Sequence, residues 1–261
     1  MLLTLAIAPA VFLLLFVYLR DKYEREPLGL IAVTFLLGAI GVLPAALLEL
    51  LLGGLFPLPV IVQAFLYVAV VEELTKFGAV RIKAYRSFHF NEVMDGIVYA
   101  VAASLGFATV ENIIYVLRSG LTVAIFRAVL SVPDHAVWGG ILGFYLGLAK
   151  RDEKASGSAQ GQIFRGLAIV VILHGLYDSL AFLDSLGGVI LISVFGWGLF
   201  LILIRKALAQ SPFRWRQTHA MPQSTFGPTV DLNGPRFCSQ CGLRLAGGER
   251  YCMNCGATIS N

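Results

Sequence analysis

Several ionisable side chains stand inside stretches that are otherwise apolar: Glu49, Glu72, Glu73, Lys76, Glu111, Arg127, Asp134, His135, His174 and Asp178. At the middle of a membrane span such a group costs roughly 2.5–3.5 kcal/mol on insertion scales, so each asks for a partner or a function. The densest stretch is VVEELTKFGAV, residues 70–80. Glu72 and Lys76 sit four apart with the acid first, the favourable order for a pair on one helix face. That pairing leaves Glu73, about 100° round the helix, without a partner. Two neighbouring carboxylates, one ionised and one protonated, can serve as base and acid in one site.

Three further stretches carry matching groups. GFATVEN sets Phe107 and Glu111 four apart on one face, with Asn112 beside them. In SVPDHAVWGG, Pro133 frees backbone groups and His135 follows at once, an arrangement suited to lining a cavity within a membrane. HGLYDSL puts His174 and Asp178 at i and i+4, where the aspartate can fix the histidine's tautomer and orientation. Glu and His together can activate water. No serine or cysteine nucleophile stands out in these stretches, and there is no HExxH and no Gly-rich phosphate loop. The chemistry indicated is hydrolysis. The alternatives are a proton-coupled transporter, since intramembrane carboxylates also mark proton relays, and a non-catalytic receptor that recruits partners through its tail. No convincing internal repeat of the transporter kind is visible between the halves.

The elements that must position these groups are membrane helices. Of 261 residues, 57% are hydrophobic and 14% charged, with mean hydropathy +0.78. A soluble domain averages about 25% charged residues. Apolar runs occur at 2–19, 28–52, 58–80, 94–117, 121–149, 163–183 and 187–204. A span needs about 20 residues, which predicts seven transmembrane helices, or eight if the over-long fifth run divides at Pro133. Arg20, Lys22 and Arg25 follow the first run, and Arg81, Lys83 and Arg86 follow the third. Lys150, Arg151, Lys154 and Arg165 lie between the fifth and sixth, and Arg205, Lys206, Arg214 and Arg216 follow the seventh. These alternate connections hold most of the chain's 20 Lys and Arg, so they are expected in the cytoplasm, with the N-terminus outside. At 1.5 Å per residue from the cytoplasmic ends, Glu72 and His174 fall about 12–17 Å deep and His135 about 20 Å. Glu111 falls at about 25 Å, and needs tilt or an early helix start to meet them.

The tail is a second module. Residues 207–236 hold Gln, Ser, Thr and Pro with little periodicity and are expected to be a flexible linker after a membrane domain at 1–206. All four cysteines follow, as Cys238-x-x-Cys241 and Cys252-x-x-Cys255, with Gly242 and Gly256 after the second cysteine of each pair. Four thiolates suit tetrahedral zinc in a closed, structural site, predicting a small zinc ribbon over 237–258. A reduced cytoplasmic tail argues against two disulfides. The ribbon suits a protein partner. Arg236, Arg244 and Arg250 are too few to argue for nucleic acid.

With EELTK, FATVE, SVPDHAVWGG and HGLYD in order over residues 72–178, the chain resembles the PrsW-type intramembrane proteases. That family is related to the CAAX prenyl endopeptidase and bacteriocin-processing superfamily. The resemblance implies hydrolysis of a peptide bond in or near the membrane, in a membrane-anchored substrate. One role it implies is the first cut in a membrane-bound anti-sigma factor. Carried over by motif, it implies a catalytic set of Glu72, Glu73, Glu111, His135 and His174. Either Glu72 or Glu73 would be the general base, the histidines would stabilise the oxyanion or protonate the leaving amine, and Lys76 and Asp178 would orient their neighbours. The related superfamily favours a metal-free glutamic site, although two histidines with glutamates can also ligate zinc. The ribbon lies outside the resemblance.

Overall fold

In lipid, a backbone that satisfies its own hydrogen bonds is a helix, and this chain follows that constraint throughout its apolar part. The computed structural model describes residues 2–214, Phe237, Cys238 and Leu245. Among them the architecture is all-α, with no strand. The chain divides into two compact units, Met1–Thr218 and His219–Asn261. In the second, Cys238 is buried, while Cys241, Cys252 and Cys255 lie outside the described residues, as does most of the expected linker.

In the first unit, α1 (Leu2–Arg20) and α2 (Leu28–Leu55) are long and apolar. A short α3 (Val60–Gln63) runs through a π-helical segment, Ala64–Ala69, into α4 (Val70–Ile82). Next comes α5 (Val93–Phe126), and a second π-helical segment, Arg127–Ser131, leads into α6 (Val132–Ser156). The last two helices are α7 (Gln160–Phe182) and α8 (Leu186–Ala209), so residues 207–209 complete a helix rather than begin the linker. Five helical stretches among the described residues are long and apolar enough to cross a membrane. One of them, Val93–Ser156, has 64 residues and contains both α5 and α6. Large apolar side chains cover the outside, Leu50 at 73% and Leu191 at 72% exposure among them, as a lipid-facing surface requires.

Helix α5 is the centre of the bundle. Every residue from 92 to 109 is buried, and a helix that is apolar all round belongs in a core. The chain reverses at Gly120, within the last part of α5, where the φ of 76° suits glycine alone, and α6 packs back on the body of α5. The two helices then run antiparallel, with Gly96 against the backbone of Gly143 and Gly147. A Cβ at Gly96 would collide there, so the small residues set how closely the backbones approach.

The over-long fifth run does not divide at Pro133. The π-helical turn just before it widens the backbone, which accommodates the Pro133 ring and its missing N–H without ending the helix. Helical structure is continuous from 121 to 156. The mismatch in the depth of Glu111 is also removed. Residues 83–92 carry the chain onward from the end of α4, and the Tyr85 hydroxyl reaches Glu153 near the far end of α6. Helix α5 therefore begins well beyond the end of α4.

At that same end of the bundle, where α1 stops and α5 starts, Asp21, Glu26, Glu92 and Asp95 are all buried. Asp95 Oδ2 accepts from the backbone N–H of Asn91 and Glu92, capping α5, and the Tyr99 hydroxyl donates to Glu26 Oε2. Burial, then the charges of Glu92, Asp95 and Glu24, push the Asp21 carboxyl up to about 8.

Candidate active site

The two π-helical segments stand immediately before the two motifs that face each other across the site. Ala64–Ala69 precedes Glu72 and Glu73 on α4, and Arg127–Ser131 precedes His135 on α6. Such segments re-aim the residues that follow them and are frequent at functional sites.

Lys76 is the centre of the arrangement. Its ammonium group, 1% exposed, lies 2.9 Å from Glu72 Oε2, 2.9 Å from Glu73 Oε1 and 3.0 Å from His135 Nδ1. An ammonium has three protons, and all three have acceptors. The Phe107 ring closes the remaining side, its centroid 4.7 Å from Nζ. The single pairing with Glu72 expected from the sequence is therefore corrected: Lys76 bridges both glutamates. It also sets a tautomer. An ammonium only donates, so His135 Nδ1 accepts and the ring proton sits on Nε2, 3.1 Å from Glu111 Oε2.

The same Glu111 oxygen is met by Arg127, whose Nη2 lies 3.0 Å from Oε2. Arg127 Nε donates to Asn112 Oδ1, and Asn112 Nδ2 donates to the Ala6 carbonyl of α1. Asn112 is fully buried and acts through Arg127 instead of facing the site. The Arg127 guanidinium also stacks 4.2 Å from the Tyr115 ring centroid. On α7, His174 Nδ1 donates to Glu73 Oε1 at 2.8 Å, leaving Nε2 beside Asp178 Oδ2 at 3.3 Å.

These groups border a cavity of about 560 Å³ between α2, α4, α5, α6 and α7. Glu72, Glu111, His135, His174 and Asp178 line it, as do Phe107, Arg127 and Asp134. Glu73 and Lys76 do not; they lie behind the wall and hold it in place. Of the two adjacent glutamates, only Glu72 can touch a molecule in the cavity. Arg127 is the residue that motif spacing did not bring forward, although its charge in an apolar run was the available signal. Glu49 of α2 lines the cavity too, with no histidine or paired acid nearby in sequence to single it out.

The donor set fits a metal ion in part. One oxygen of Glu72, one of Glu111 and one nitrogen of His135 lie within 4.8 Å of one another, and so do atoms of Glu72, Glu73 and His174. Imidazole and carboxylate are zinc donors. Lys76 already occupies His135 Nδ1 and one oxygen each of Glu72 and Glu73, so a metal would take the cavity-side atoms.

A family model described as "PrsW family intramembrane metalloprotease" matches residues 26–221, three quarters of the chain and the whole of the site. The chain belongs to the PrsW family. Its relatives include Protease PrsW of Halalkalibacterium halodurans, 40% identical over 186 residues, covering 70% of this chain and 85% of that protein. Protease PrsW of Geobacillus kaustophilus is 36% identical over 228 residues, 85% of this chain and 95% of the relative. Protease PrsW of Bacillus subtilis is 38% identical over 178 residues, 66% and 78%. No solved structure matches. As a PrsW-family member the chain is a multi-pass membrane protein and an intramembrane endopeptidase. The matched segment ends before the four cysteines, so the tail is additional to the family domain.

Proposed function

We propose that this protease hydrolyses a peptide bond of a membrane-anchored protein with a water activated by Glu72 in the cavity. The observation that carries this is the sharing of one cavity by Glu72, Glu111, His135 and His174, each fixed by a second group behind it. Glu72 Oε1 takes a proton from the water as its oxygen attacks the scissile carbonyl. His135 Nε2–H and the Arg127 guanidinium, which meet at Glu111 Oε2 beside the cavity, would turn from it to stabilise the oxyanion. The proton held by Glu72 then passes to the leaving amine. Glu73 and Lys76 are positioning residues, and Asp178 orients His174. A cavity of this size accepts a few residues of extended chain.

A metal-assisted form of the same reaction is favoured by the closeness of the Glu72, Glu111 and His135 donors. Those three would hold the ion, which would supply a Lewis acid and a more acidic water. Metal analysis after Cys238, Cys241, Cys252 and Cys255 are replaced by serine separates the forms. One equivalent of zinc remaining assigns it to the membrane site, and none leaves the glutamate form.

Seven spans with an outside N-terminus and a cytoplasmic tail remain the topology that best accounts for the basic residues. It counts α5 and α6 separately and includes 60–82, whose charges are paired internally. The tail is proposed to be a structural zinc ribbon for a protein partner. A single-span anti-sigma factor is the first substrate to test. Comparing membrane proteomes of cells with wild type and Glu72→Gln tests the reading. A membrane protein that loses one cleavage product supports it. Unchanged cleavage by a normally inserted Glu72→Gln overturns it.

A further inference from the structure

The cluster at the far end of the bundle plays no part in this chemistry, and its composition is unusual. Asp21 follows the last turn of α1, Glu26 stands just before Pro27, the N-cap of α2, and Asp95 is in the first turn of α5. All three are buried, and one oxygen from each lies within 4.8 Å of the other two. Asp21 has no exposed surface, and neither of its carboxylate oxygens has a hydrogen-bond partner. Asp95 Oδ2 is used in capping, but Oδ1 is buried and unpartnered. Buried carboxylate oxygens are nearly always satisfied, so three unpartnered oxygens on two of these three neighbouring acids indicate a missing positive partner. Arg25, whose charge acts on Asp21, gives its Nε to the Asp21 backbone carbonyl and lays its guanidinium over the Tyr18 ring.

We propose that Asp21, Glu26 and Asp95 form a binding site for a hard divalent cation such as Mg2+, Mn2+ or Ca2+, which fastens α1, α2 and α5 together. The donors are all carboxylate oxygens, with no histidine or thiolate, which selects hard cations over zinc. Glu92 stands next to the site and adds negative charge to it. The Tyr99 hydroxyl on Glu26 fixes that carboxylate's orientation as an outer partner does for a metal ligand.

The full-length protein in detergent, stripped of divalent ions, provides the test. Adding MgCl2, MnCl2 or CaCl2 should raise its melting temperature by about 5–10 °C at a hundredfold excess over Kd. Asp21→Asn and Asp95→Asn should lose that rise. Tb3+ should give tyrosine-sensitised emission from Tyr99 that Ca2+ displaces. An equal rise in Asp21→Asn, or neither a rise nor Tb3+ emission in the wild type, overturns the proposal. Should the aspartate variants fail to fold, wild-type Tb3+ emission decides. Emission displaced by Ca2+ and absent from Glu26→Gln supports the site, and emission retained in Glu26→Gln overturns it.

Discussion

Two groups of buried carboxylates lie at different levels of one bundle, and they are balanced in opposite ways. Around the cavity, Glu72 and Glu73 share Lys76, and Glu111 is held by Arg127 and His135. Where α1 ends, Asp21, Glu26 and Asp95 have capping amides and a tyrosine hydroxyl but, among the described residues, no ion-paired Lys or Arg side chain between them. The first group carries its own cations in fixed geometry, which keeps its carboxylates available at chosen positions for chemistry. The second, whose buried Asp21 carboxylate has no hydrogen-bond partner on either oxygen, is suited to an ion from outside. Buried acids are thus not one signal. The cations beside them decide what they can do.

The comparison can be broken at its strongest point first. Glu72→Gln should lower cleavage by about 10²–10⁴-fold, the range for a lost general base, with insertion unchanged by immunoblot of membranes. Glu73→Gln should act through position instead, lowering both cleavage and melting temperature. If Glu73→Gln alone abolished turnover at an unchanged melting temperature, the assignment of Glu72 as base would fall. Lys76→Met leaves two buried carboxylates without their cation and should destabilise the protein by about 3–5 kcal/mol, seen as an earlier thermal transition. A wild-type transition in Lys76→Met would remove the contrast between the clusters. Arg127→Gln frees Glu111 and Asn112 and should reduce cleavage by about 10–100-fold, with partial recovery in Arg127→Lys. The smallest effect, and of opposite sign to Lys76→Met, belongs to Asp21→Asn in chelator. Removing one of several unbalanced carboxylates should leave stability within about 1 kcal/mol or raise it. A large loss there would show that Asp21 is already balanced.

Much of the site was legible because a charged residue in an apolar run announces itself. The EELTK, FATVE and HGLYD stretches each placed two groups on one helical face by spacing alone, and α4, α5 and α7 carry them so. Spacing on a single helix could not show that Lys76 reaches His135 on α6, since that contact depends on how two helices 59 residues apart in sequence pack. Nor could it rank Glu72 against Glu73, whose difference is which one faces the cavity. Asp21 and Glu26 were hidden for another reason. They lie in a connection whose Arg20, Lys22 and Arg25 mark topology, and in sequence their acids look like ordinary solvated loop charges.

By itself, then, the sequence determined the helical class, the separate cysteine tail and the inventory of reactive groups. Those depend on composition and on the fixed 100° turn of a helix, which are properties of short segments. The tertiary structure decided the three-acceptor role of Lys76, the placing of Arg127 on Glu111, the continuous helix through Pro133 and the meeting of Asp21, Glu26 and Asp95. Each of these is a contact, or a local backbone shape, fixed by the close antiparallel approach of α5 and α6 and by the helices packed round them. Interhelical distance and rotation follow from the packing of whole surfaces, and no short stretch of sequence contains both sides of a surface.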